Sequence, residues 1–147
     1  VGVPTVSGSI RGATIVAVGT VVGKEFETLL DSEQLELLKP DTSSYKTFPY
    51  RQIIAKYKVV IRDLFKGKDI ADTITLYTGV TGGDCGIRFT VGGDYIFYAD
   101  KKTYFGQMNN NWKYPEGPGI YWTNSCTRTQ SVNDTELNEI KAEIKVK

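Results

Sequence analysis

Between residues 55 and 63 the chain reads AKYKVVIRD, with Ala55, Tyr57, Val59 and Ile61 alternating against Lys56, Lys58, Val60 and Arg62. Successive side chains of a strand point to opposite faces, so this period of two predicts a strand with one apolar and one wet face. Such a strand needs a sheet whose inner face closes over a core. The neighbouring segments supply it. TIVAVGTVV, residues 14 to 22, is a β-branched run of nearly continuous apolarity, which predicts a first strand covered on both faces. LFKGKD turns the chain at Gly67 into TITLYT, where Ile74 and Leu76 share a face of a third strand. Residues Ile87 to Val91 run into the turn Gly92-Gly93-Asp94, and Tyr95 to Ala99 form a fourth strand. A fifth is expected around Ile120 to Thr127. The chain ends on a helix over 134–144: Asn133 with Glu136 three residues later has the pattern of a capping box, and Leu137, Ile140 and Ile144 fall on one stripe.

Two connections fit no strand. Residues 25–52 hold a short helical pattern, SEQLELL, followed by a stretch ending in FPYRQ; residues 100–119 carry Tyr104, Phe105, Trp112 and Tyr114 among asparagines and prolines. Long loops with aromatic rings are where binding sites tend to lie, and the same rings also serve to cap barrel ends. With 147 residues, the chain is expected to be a single domain over 1–147, burying about two-thirds of its unfolded surface. The fold class that follows is all-β with a terminal helix, a five-stranded Greek-key barrel of the OB type.

Composition narrows the chemistry. The chain has no histidine, which removes Ser-His-Asp and Cys-His nucleophile activation and the common catalytic zinc sites. Two cysteines do not make a four-cysteine zinc site, and no calcium-loop spacing occurs. TGVTGGDCG lacks the GK[ST] of a phosphate loop, so its glycines read as turn residues. Acidic residues number 17, enough to choose carboxylate pairs at will, so such pairs carry no information about glycosidase chemistry. No enzyme, cofactor or metal site is therefore expected. Lysine and arginine number 18 against those 17 acids, so no overall field draws the protein to nucleic acid or anionic lipid. No apolar run has the length of a membrane span.

The spacing CGxxFxxGxxYxxYA, occupied by Cys85, Gly86, Phe89, Gly92, Tyr95, Tyr98 and Ala99, is followed by CxRT at Cys126, Arg128 and Thr129. Together with LFKG at 64–67 and IVAVGTVVGKE at 15–25, this pattern resembles the netrin-like modules of the tissue inhibitor of metalloproteinases family, above all its compact bacterial members, over about residues 13–140. In that family a C-x-C at the mature N-terminus is tied by disulfides to the cysteines that correspond to Cys85 and Cys126. This chain has no C-x-C. The resemblance then implies that Cys85 and Cys126 stand close together at one barrel end, as free thiols or bonded to each other. A direct bond would close a loop of about 41 residues and contribute roughly 4 kcal/mol on the chain-entropy estimate.

The resemblance further implies a noncatalytic, secreted or envelope-associated protein-binding module, extracellular or periplasmic, its leader upstream of Val1, with metalloprotease inhibition as the narrower form. By motif position the protease-contact wedge comprises Val1, Gly2, Val3 and Pro4 with the loop Thr81, Gly82, Gly83, Asp84, Cys85 and Gly86, and residues 25–52 extend the contact. The alternative expectation is an OB-fold module that binds oligosaccharide or single-stranded nucleic acid on the barrel face, for which Lys56, Lys58 and Arg62 offer a local cationic patch.

Overall fold

The structure, a computed structural model, describes residues 4–30, 51–80, 84–105 and 114–146. Among these residues, two helices and six strands follow in chain order: α1 (Val6–Gly12), β1 (Ile15–Leu30), β2 (Arg51–Lys66), β3 (Thr73–Thr78), β4 (Asp94–Ala99), β5 (Ile120–Trp122), β6 (Gln130–Ser131) and α2 (Asp134–Val146). The strands form one curled sheet in the order β5-β3-β2-β1-β4-β6, antiparallel except for the β3–β5 pair. Beyond the end of β4, the Asp100 N–H donates to the Trp122 carbonyl at 2.9 Å and the Trp122 N–H to the Asp100 carbonyl at 2.7 Å, a bridge that joins the two sides of the sheet.

Curvature originates in β1. Its register against β2 slips at three places, each of which bends the strand, and Gly19 occupies one of them. A Cβ there would overlap the Val59 side chain, so glycine lets β1 cross closely over β2. The first part of β1 also pairs with β4, from Ile15↔Ala99 to Thr20↔Asp94. The continuous apolarity of residues 15–17 has a simple cause. Ile15 and Ala17 point into the barrel-like interior with Val59, Leu76, Phe89 and Phe97, whereas Val16 lies in a second cluster with Ile96 and Tyr98 beneath both helices. Past Val18 the outer face opens, and Val22 is exposed.

The alternation of β2 and the shared face of Ile74 and Leu76 are as expected, with Ala55, Tyr57 and Val59 buried and Lys58 and Arg62 outside. The expected boundaries need correction elsewhere. The connection taken as 25–52 is strand as far as Leu30 and again from Arg51, so β1 and β2 are each 16 residues long. The helical pattern at 32–38 lies outside the described residues, as does Trp112. The fifth strand is only Ile120–Trp122, because the chain turns at Asn124, whose side-chain oxygen accepts the Cys126 N–H at 2.8 Å. The two-residue β6 makes the sheet six-stranded rather than five-stranded.

Helix α1 has no counterpart among the expectations. VSGSIRG is a poor helix former, but Thr5 caps it, its hydroxyl accepting the Gly8 N–H at 3.0 Å, and Val6 and Ile10, one turn apart, bury against Ile140 of α2. In α2, Asn133 is the N-cap, accepting the Glu136 N–H at 2.9 Å. The stripe is narrower than expected: Ile140 is fully buried and Leu137 packs beside it, but Ile144 is 36% exposed. A third apolar cluster covers the outer face of β2, β3 and β5, where Tyr104, Phe105 and Tyr114 pack around Trp122. These rings cover the outside of the sheet instead of its end.

Candidate functional site

The resemblance motif runs from the loop at Cys85 through the Gly92 turn and along β4 to Ala99, and its residues are tied to each other. Phe89 is buried among Tyr57, Tyr95 and Phe97, with ring centroids 5.0, 4.8 and 5.4 Å away. The following turn is fixed to β1: the Gly92 N–H donates to the Val21 carbonyl at 2.7 Å and the Val21 N–H to that of Gly93 at 3.0 Å. Gly86 is required for a different reason. Its backbone lies so close to Gly79 that any Cβ would overlap the Gly79 carbonyl. Between them, Asp84 holds the loop by accepting the Val80 and Gly86 N–H groups at 3.0 Å each, and the Tyr104 hydroxyl accepts from Gly79 and donates to the Asp84 carbonyl.

Cys85 follows Asp84 in the left-handed region, φ 59°, and its carbonyl accepts the Ser125 N–H at 2.8 Å. That bond sets Cys85 beside Cys126, and both cysteines are free. The hydrogen bond with the Cys85 thiol pushes the Cys126 thiol above its ordinary range, the opposite of what a nucleophilic thiolate needs.

Two residues beyond Cys126, Arg128 makes the other half of this corner. Its Nε and Nη2 donate to Glu136 Oε2 and Oε1 at 2.7 and 2.6 Å, a two-pronged pair, and its Nη1 donates to the Pro4 carbonyl at 2.7 Å. Glu136 is only 3% exposed and also accepts from the Tyr98 hydroxyl at 2.7 Å. The Arg128 hydrogen bonds hold the Glu136 carboxyl below the usual carboxylate range, and burial with the bond to Glu136 pushes the Tyr98 phenol up. Thr129 completes the set: its hydroxyl accepts the Tyr98 N–H at 2.9 Å and shares hydrogen bonds with Thr123 and Thr127. Glu136, expected as half of a capping box, turns instead into this buried network.

Of the expected wedge, Val1 to Val3 and Thr81 to Gly83 lie outside the described residues. Pro4 stands on Arg128, and Asp84, Cys85 and Gly86 stand on the corner just described. The cationic patch on β2 is largely answered. Lys56 lies 3.5 and 3.4 Å from Glu25 and Glu27, and Arg62 donates to the Thr20 hydroxyl, which in turn donates to Asp94. Sequence reasoning missed the Arg128–Glu136–Tyr98 network because its members are far apart in the chain. It also missed Phe26, whose setting in KEFET, a lone large apolar residue among charges, was the available sign.

The chain matches no protein-family model, and no curated protein shows significant sequence similarity to it. Among the described residues, no helix is long and apolar enough to cross a membrane.

Proposed function

We propose that the chain is a noncatalytic protein-binding module, secreted or envelope-associated, of the netrin-like kind found in tissue inhibitors of metalloproteinases. The observation that carries this reading is the convergence at one end of the sheet of Pro4, the Asp84–Gly86 loop and the CxRT segment. The N-terminal segment and that loop form the contact wedge in the resembling family. The strand order with parallel β3 and β5, together with the Asp100–Trp122 bridge, supports an OB-type Greek-key closure as the frame. The motif residues serve to build the corner, and the corner presents backbone and small side chains to a partner, with no reacting group of its own in this reading.

Metalloprotease inhibition is the narrower form of the proposal. Titrating the chain against a panel of secreted zinc metalloprotease catalytic domains is expected to suppress peptide hydrolysis stoichiometrically for at least one of them. No inhibition across the panel, combined with salt-sensitive retardation of a single-stranded oligonucleotide, would overturn the reading in favour of a nucleic-acid-binding OB module.

A further inference from the structure

The two long strands outrun the rest of the sheet. The pairing of β4 with β1 ends at Thr20↔Asp94, yet β1 continues to Leu30 with β2 as its only strand partner among the described residues. Where β4 falls away, a cleft of about 260 Å³ opens between the inner face of β1 and the segment 86–88. Lys24 and Phe26 stand on one wall, Ile87 and Arg88 on the other, with Tyr57 and Val80 deeper. Phe26 is 60% exposed, the most exposed large apolar side chain among the described residues. The Lys24 ammonium is held 5.3 Å from its ring centroid and 5.7 Å from that of Tyr57.

The charges in this cleft differ from those on the opposite face of the same strands. There, Glu25 and Glu27 meet Lys56. Here, neither Lys24 nor Arg88 makes an ion pair among the described residues, and both are exposed. Among the described residues, the site thus offers an apolar wall, two cations without an ion pair, and an edge of β1 beyond Val21 that no strand pairs. A strand edge of this kind recruits an extended chain, whose alternate side chains fall on one face about 7 Å apart. An apolar side chain seated against Phe26 therefore brings the residues two positions away toward the cations.

We propose that this cleft receives an extended segment of a protein partner that carries an apolar side chain with an aspartate or glutamate two residues from it. The proposal rests on the protein-binding reading above and names the chemistry of the partner. Gly86 lines the cleft and directly follows Cys85 of the corner, so one partner is able to span both.

The test is selection of a random nonapeptide library, displayed on phage, against the full chain. Enriched sequences are expected to share the apolar–x–acidic spacing in either direction. A synthetic peptide of the leading sequence should bind Phe26→Ala and the double variant Lys24→Glu/Arg88→Glu at least about ten-fold more weakly, and lose affinity with rising salt. All three side chains are exposed, so these variants fold. No enrichment, enrichment without acidic residues, or unchanged binding by Phe26→Ala overturns the proposal. Stoichiometric protease inhibition that survives both variants also overturns it, while leaving the protein-binding function intact; that separates the two claims.

Discussion

The Arg128 corner and the Phe26 cleft adjoin the same short loop, and they treat polar groups in opposite ways. At the corner, a buried carboxylate is met by two guanidinium nitrogens and a phenol, and the remaining guanidinium nitrogen reaches the backbone of Pro4. At the cleft, a cation rests on an aromatic ring with no carboxylate opposite it among the described residues, and the ring itself is 60% exposed. The contrast separates the buried network that braces the corner from within from the exposed groups that the cleft offers to a partner. Burial of an ionised group is tolerated only with such complete pairing, whereas an uncompensated charge and an exposed ring are stable only while solvated.

The largest expected effect follows from breaking the closed side. Glu136→Gln leaves Arg128 without its counter-charge beneath α2 and should cost about 3 kcal/mol, a fall in Tm of roughly 10 °C. The same carboxylate gives the pH dependence its sign. Its folded-state pKa is held below the ordinary value of 4.5, so the stabilisation is fully present above that value and fades as pH falls through the lower, folded pKa. Unfolding measured between pH 7 and pH 3 should show that acid loss in the parent and a shallower one in Glu136→Gln. Equal slopes would place the network's strength elsewhere.

A smaller loss is expected at the loop the two regions share. Gly86→Ala sets a methyl group against the Gly79 carbonyl, and should cost about 2 kcal/mol in urea titration as the loop shifts to admit it. A neutral result would mean that the 79–86 crossing is looser than the Asp84 and Tyr104 hydrogen bonds make it.

These expectations also mark what the sequence disclosed. Period-two alternation located β2 and β3, because one face of each is wet or differently covered and the pattern survives. The reach of β1 to Leu30 was hidden by KEFET, since a strand exposed on both faces carries no apolar rhythm to read. Helix α1 was hidden by two glycines and two serines, its stability coming from Val6 and Ile10 packing on α2 instead of from propensity. For the site, the family resemblance implied that Cys85 and Cys126 share a corner, and the Cys85–Ser125 hydrogen bond puts them there. The pairing of Arg128 with Glu136 joins a turn to a helix, and nothing local in the sequence announces it.

The central claim is that the Phe26 side of this loop is kept open. Thermal unfolding of Phe26→Ala tests it without any ligand. An open wall predicts a Tm within about 2 °C of the parent, as for exposed substitutions generally. A fall of roughly 8 °C or more, the cost of deleting a buried phenylalanine, would show that Phe26 is covered by the chain itself and that the cleft is part of the core.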